Sequence, residues 1–274
     1  MDFIGNYEKA GKAPLLLSGE QTFNKKGSYE YQDMEYPDDC IVDFDMRLID
    51  LFKEMDKKKL TLKMQIRQEY YRVKELLDGK RPSRMDLFTY MDDDIYRCCV
   101  SGSHAKENPF QHYLDFLYEL GELSEDEQEL YAGIGREFIQ TIETTEMQKV
   151  YKMPILYSFY NHGNIRLAVT DEEVLESWKE FFDTGTNWKD FPNVNTYEDY
   201  KKVTDKQHLS KAKRMPITRL KMSGKGFFVE KDGYALALRD EIGDVVGNMA
   251  FGEQMGDVLG YRSLEYYRRR YERE

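Results

Sequence analysis

Gln65-Ile66-Arg67-Gln68-Glu69-Tyr70-Tyr71-Arg72-Val73-Lys74-Glu75-Leu76-Leu77-Asp78-Gly79-Lys80-Arg81-Pro82-Ser83-Arg84-Met85-Asp86-Leu87-Phe88 reads as helix, stop, turn and second helix. Ile66, Tyr70, Val73 and Leu77 recur at helical spacing and lay an apolar stripe along one face. Gly79 stands where that helix should end, since glycine takes the left-handed C-terminal conformation without a Cβ clash. Lys80-Arg81-Pro82 then makes a basic turn, and Ser83 is placed to cap a helix carrying Met85, Leu87, Phe88 and Met91. Helix, tight turn and helix is the outline of a helix-turn-helix unit. In such a unit Lys80, Arg81 and Arg84 would meet phosphates, with the start of the second helix near a groove. The same residues also describe an ordinary αα-corner with an exposed basic turn. Asp86 and Asp92-Asp93-Asp94 sit poorly against a duplex.

Outward from this stretch the helical pattern persists. Upstream, Leu48, Leu51, Phe52 and Met55 fall on one face from Arg47 onward. Downstream of a boundary at Asn108-Pro109, Phe110 to Leu120 reads as a helix that buries Tyr113, Phe116, Leu117 and Leu120. Ser124-x-x-Glu127 and Thr170-x-x-Glu173 are capping boxes that open two more. The first carries Leu130, Ile134 and Phe138 inward; the second carries Val174, Leu175, Trp178, Phe181 and Phe182, and should stop at Gly185. Residues 143–151 read as a further helical segment before Pro154, and Ile155 to Tyr160 suits a strand as well as a short helix. The clearest β signal is Phe227-Phe228-Val229, a turn at Asp232-Gly233, and Tyr234-Ala235-Leu236-Ala237-Leu238. An Asp-Gly pair between apolar runs marks a hairpin because the turn needs positive φ. A basic helix followed by such a hairpin describes either a winged unit or a small α+β module. A Tyr/Arg-rich helix from Tyr261 to Tyr271 follows.

The predicted class is mainly α (α+β): helical modules, including the helix-turn-helix outline, with a C-terminal β-hairpin. Four divisions are expected: a linker-like 1–46, a helical module 47–107, a second helical module 108–198, and a basic α+β module 199–274.

Of the 274 residues 41% are hydrophobic and 14% aromatic, which argues for a folded chain despite 33% charged residues. No apolar run approaches the roughly 20 residues that cross a bilayer. No basic-then-apolar leader opens the sequence, so a cytoplasmic protein with no membrane partner is expected. Cys40, Cys98 and Cys99 are an odd number, and adjacent cysteines are poor disulfide partners, so Cys98 and Cys99 read as core residues.

The net charge of −11 is unevenly spread. Residues 199–226 hold nine bases (Lys201, Lys202, Lys206, Lys211, Lys213, Arg214, Arg219, Lys221, Lys225) against Asp199 and Asp205, a local +7. Residues 30–46 carry seven acids and no base, and residues 119–129 six acids and no base. One basic face on an acidic protein is a pattern suited to a polyanionic partner.

Chemistry of other kinds finds little footing. His104, His112, His162 and His208 are scattered and the cysteines lack metal-ligand spacing, so no metal and no other cofactor is expected. Gly224-Lys225-Gly226 has no Ser or Thr after its lysine, and Asp92-Asp93-Asp94 follows no apolar strand, so neither part of an ATPase is present. Asp43-x-Asp45 lacks the lysine of a nuclease set, and no nucleophile elbow appears. No residue is nominated as catalytic. The positive chemistry is electrostatic: Lys211, Lys213, Arg214, Arg219, Lys221 and Lys225, with Lys80, Arg81 and Arg84, are the candidate nucleic-acid contacts. Phe227 and Phe228 are assigned to the core.

Asp2-Phe3-Ile4-Gly5-Asn6-Tyr7 and Lys12-Ala13-Pro14-Leu15-Leu16-Leu17-Ser18-Gly19 resemble the segment that follows the last ATP-sensing motif in bacterial superfamily 2 (DEAD/DEAH-type) helicases. Gly79 to Leu87 and Pro154-Ile155-Leu156-Tyr157-Ser158-Phe159-Tyr160-Asn161-His162-Gly163 continue the resemblance. It implies a C-terminal accessory region without its ATPase motor, in which Phe3-Ile4 has lost its sheet neighbours or found another contact. It also implies a non-enzymatic role: binding DNA or RNA, or docking the helicase motor domain on another protein. The alternative is a protein-interaction module whose acidic runs, 30–46 and 119–129, bind a basic partner or mimic nucleic acid.

Overall fold

The computed structural model describes residues 60–271, together with two short strands, β1 (Phe3–Ile4) and β2 (Leu15–Leu16). The expected helix from Arg47, the linker, the acidic run 30–46, Cys40 and Asp43-x-Asp45 lie outside the described residues. The chain divides into two units, Met1–Gln68 and Glu69–Glu274. In the first, β1 pairs antiparallel with β2, Phe3 opposite Leu16 and Ile4 opposite Leu15. Phe3-Ile4 has therefore found a partner within its own segment.

Helix α1 (Leu62–Leu76) stops as its sequence demands. Gly79 takes φ 81° and its N–H reaches back to the Lys74 carbonyl at 2.9 Å, satisfying an end group that would otherwise face solvent unpaired. Helix α2 (Arg84–Tyr90) opens with a reciprocal Ser83–Asp86 capping box. Asp92 caps α3 (Asp93–Val100), its side chain accepting from Asp94 N and Ile95 N. Helix α4 (Tyr113–Leu120) follows, then α5 (Glu125–Ala132), opened by the expected Ser124–Glu127 box, and α6 (Ile134–Thr144).

After α6 the helix expected over 143–151 does not continue. The Thr145 carbonyl accepts from Arg262 at 2.5 Å, and the Lys152 ammonium holds the Thr145 hydroxyl and the Glu146 carbonyl, both at 2.9 Å. Side chains thus replace the backbone donors of a further turn. The ambiguous segment 155–160 is helical, within α7 (Lys152–Tyr160). Pro154 sits in its first turn, where the missing N–H is no loss.

Strand β3 (Ala168–Val169) precedes α8 (Asp171–Asp183), opened by the Thr170–Glu173 box and ended just before Gly185, whose φ is 53°. Next come α9 (Tyr197–Lys201), α10 (Asp205–Ala212) with a Thr204–Gln207 box, a π-helical turn over Lys213–Ile217, and α11 (Thr218–Ser223). The π turn contains Pro216, which cannot donate to the ladder; widening the helix there accommodates the ring. The expected hairpin is β4 (Phe228–Val229) and β5 (Leu236–Leu238), with Gly233 at φ 82° in its turn.

The hairpin does not stand alone. β5 is the middle strand of an antiparallel sheet ordered β3-β5-β4, with Ala168 opposite Ala237 and Phe228 opposite Leu238. The sheet thus joins segments on either side of residue 198, and residues 69–274 form a single compact unit. Helix α12 (Met249–Tyr271) is the longest described helix of this unit, packed on α2, α5, α6 and α7. It starts twelve residues before the helix read from Tyr261. Gly252, Gly256 and Gly260 interrupt its apolar period, yet Gly256 is needed: a methyl there would come 2.5 Å from the Tyr160 hydroxyl. Phe138, Phe159, Trp178, Phe182, Phe251 and Leu259 lie fully buried in the core around it.

Candidate nucleic-acid interface

The turn at 80–84 faces inward rather than toward a groove. Arg84 is 0% exposed. Its guanidinium pairs with Glu143 at 2.5 Å and Asp257 at 2.8 Å, donates to Gln254 Oε1 at 2.7 Å, and lies 4.5 Å over the Tyr113 ring. Burial opposes its charge, but Glu143 and Asp257 more than compensate and raise its pKa further. Arg81 chelates Glu127, and Gln254 Nε2 donates to the same carboxylate at 2.7 Å. One amide therefore links both arginine clusters. Burial alone would raise the Glu127 pKa; the Arg81 guanidinium, the Ser124 N–H and Gln254 together hold it below its ordinary range.

The start of α2 is filled in the same way. The Asp257 carboxylate accepts from Arg84 N at 3.0 Å and Met85 N at 3.3 Å, so α12 supplies the anion that the recognition-helix reading reserved for a phosphate. Arg84 and Arg81 are corrected from surface contacts to internal ties; of the three only Lys80 is exposed. Residues 79–87 build this network, and residues 154–163 form most of α7 and the turn beyond it.

The second basic stretch stays on the surface. It runs along α10, the π turn, α11 and the Gly224-Lys225-Gly226 turn, where Lys225 and Gly226 have φ of 49° and 78°. Lys213 is tied to Asp171 at 2.8 Å, and Lys221 to Glu230, whose carboxyl that ammonium holds below its ordinary range. Lys206, Arg214, Arg219 and Lys225 are exposed and Lys211 half-buried, and none of the five forms an ion pair with a described residue. Elsewhere most arginines and lysines of this unit have an acidic partner: Lys74 with Glu122, Arg136 with Asp115, Arg166 with Glu173, Arg268 with Asp93.

Phe227 and Phe228 are buried against Phe138, as expected, and offer no stacking face. The exposed ring is Tyr234, in the hairpin turn, with the Lys231 ammonium 5.6 Å from its centre. The Lys221–Glu230 pair ties the base of that turn to α11. Lys206, Lys231 and Tyr234 thus join the surface although they were not among the nominated contacts. Tyr234 was read as strand, whereas β5 begins only at Leu236.

The acidic run 119–129 is partly structural. Glu122 holds Lys74 at 2.7 Å and Glu127 is buried with Arg81, which leaves Glu119, Glu125, Asp126 and Glu129 on the surface. Cys99 is buried and its thiol pushed up to about 12 by that burial, but Cys98 is exposed rather than in the core. Among the described residues no group of His, Cys, Asp and Glu is arranged to hold a metal ion, and no helix is long and apolar enough to cross a membrane.

Comparison of the chain with protein-family models, curated proteins and solved structures gives no match.

Proposed function

We propose that this protein is a non-enzymatic nucleic-acid-binding accessory region of a helicase-like protein, engaging a phosphate backbone through the helix α10–α11 and the adjoining hairpin turn. The observation that carries this reading is the cluster of Lys206, Lys211, Arg214, Arg219 and Lys225, five cations without a carboxylate partner among the described residues, in a protein of net charge −11. Cations kept free of internal pairs are available to displace counterions from phosphates, and Tyr234 offers a face for one unpaired base.

A second reading has one observation of its own. Met215 and Met222 are 51% and 73% exposed on the same helix, and apolar side chains among bases suit an acidic protein surface better than a duplex. On that reading the strip docks a motor domain or another partner.

Fluorescence anisotropy with labelled single- and double-stranded DNA separates the readings. Lys206→Ala/Arg214→Ala/Arg219→Ala should remove most of the binding, whereas Lys213→Ala/Lys221→Ala, which deletes cations already paired, should weaken it far less. Equal losses in the two variants, or no binding by the parent protein at low salt, would remove the nucleic-acid reading and leave docking.

A further inference from the structure

On another face of the 69–274 unit, α7, α8 and α12 line a half-open cavity of about 540 Å³, within the range of roughly 300–1,000 Å³ common for small-molecule sites. Its apolar wall is Tyr157, Tyr160, Phe181 and Leu264. Its rim includes Asn161 and His162, which with Gly163 make three consecutive left-handed residues at φ of 39°, 54° and 99°. Strained non-glycine backbone of this kind persists only where surrounding packing imposes it. Here Gly252 lies against the Gly163 carbonyl, and Gly256 lets the Tyr160 ring rest on α12.

Acidic groups outnumber basic ones in the lining, three glutamates against Arg166, with His162 at the rim. Glu173, Glu176 and Glu180 all line the cavity from α8, the last two with solvent-exposed side chains. Glu173 is committed: it accepts from Thr170 N at 2.8 Å and pairs with Arg166 at 3.0 Å. Arg166 is committed in turn, donating also to the Ser158 carbonyl at 3.1 Å, so the one arginine in the lining has little to offer an anion. The Glu176 side chain makes no hydrogen bond or ion pair with a described residue, and the Glu180 carboxylate has, among the described residues, only His162 Nε2 at 4.0 Å. Two available carboxylates thus stand over a tyrosine- and phenylalanine-lined wall. Carboxylates with aromatic faces select an organic cation, because each ring carries negative charge density on its face.

The spacing narrows the class. Glu176 and Glu180 are one helical turn apart, so their Cβ atoms are about 5–6 Å from each other. A short alkyl chain of three or four methylenes with an ammonium at each end matches that separation, and its methylenes can lie on Tyr157 and Phe181. We infer that this cavity binds an aliphatic diamine or polyamine, with Glu176 and Glu180 each taking one ammonium and the aromatic wall covering the chain. This site is separate from the basic strip and does not depend on the nucleic-acid reading.

Isothermal titration of the full chain with 1,4-diaminobutane and with spermidine tests the inference. Butane-1,4-diol and inorganic phosphate serve as neutral and anionic probes. Glu176→Gln/Glu180→Gln should weaken diamine binding on the order of tenfold, since each substitution removes a charge-assisted contact. Glu125→Gln/Glu129→Gln, which lowers the negative charge equally on α5, should leave it unchanged. The four glutamates are all exposed, so both variants should fold, and circular dichroism checks this. Absence of saturable diamine binding, equal weakening by both variants, or tighter binding of phosphate or the diol would each overturn the inference.

Discussion

Replacing Arg84 with methionine should destabilise the 69–274 unit by about 3–5 kcal/mol, the usual cost of breaking a buried ion pair from one side. The cost arises in what is left behind. Glu143 loses both guanidinium contacts, at 3.1 and 2.5 Å, and keeps only the Tyr113 N–H at 3.2 Å, while its side chain remains 2% exposed. Gln254 Oε1 loses its donor. Asp257 retains two backbone N–H groups and is partly exposed, so it contributes less. In a unit of this size each kcal/mol shifts Tm by about 2–4 °C, so a fall of about 6–20 °C is expected. Urea unfolding followed by circular dichroism reads the free energy directly. Adding Glu143→Gln removes the orphaned charge and should restore at least half of the loss. A loss below about 1 kcal/mol, or a double variant no more stable than Arg84→Met, would refute the assignment of Arg84 as an internal tie.

His208 is buried between Phe191 and Tyr200, its Nδ1 without a hydrogen-bond partner among the described residues, and burial holds its pKa below the usual 6.5. The unfolded chain therefore takes up a proton near pH 6.5 that the folded one resists, so stability should fall as pH drops from 7 through 6.5 toward 5. Urea midpoints at pH 7 and 5 should converge in His208→Leu, and an unchanged difference would exclude His208 as the cause. Gly224→Ala should lose about 1–3 kcal/mol by overpacking, because the new methyl would meet the Phe228 ring at 2.3 Å and the Leu220 carbonyl at 2.5 Å; a neutral thermal melt would contradict this packing.

Local signals were legible in the sequence where the physics is local. The capping boxes at Ser124 and Thr170, the left-handed stop at Gly79 and the Asp-Gly turn each depend on a few adjacent residues, and each stands where it was read. What failed to show were features decided across the chain. The first half of α12 hides behind three glycines, of which Gly252 and Gly256 permit close approach to the 161–163 turn and to Tyr160 of α7. Helix α7 has no amphipathic period because Met153, Pro154, Ile155, Leu156, Ser158 and Phe159 are all buried. Arg84 resembles a surface base until Glu143 and Asp257, distant in sequence, are brought against it. The basic strip was legible because a charge run on an exposed helix needs no distant partner; which of its members are neutralised was not, since Asp171 and Glu230 lie in other elements.

The most direct test of the proposed function is the salt dependence of duplex DNA binding between roughly 50 and 200 mM salt. If Lys206, Lys211, Arg214, Arg219 and Lys225 each neutralise one phosphate, the log–log slope should be about −4.5 and affinity should fall about 500-fold over that range. In Lys206→Ala/Arg214→Ala/Arg219→Ala the slope should shrink to about −1.8, a fall of about 12-fold. A slope near zero, or one that the triple variant leaves unchanged, would contradict phosphate binding by this surface.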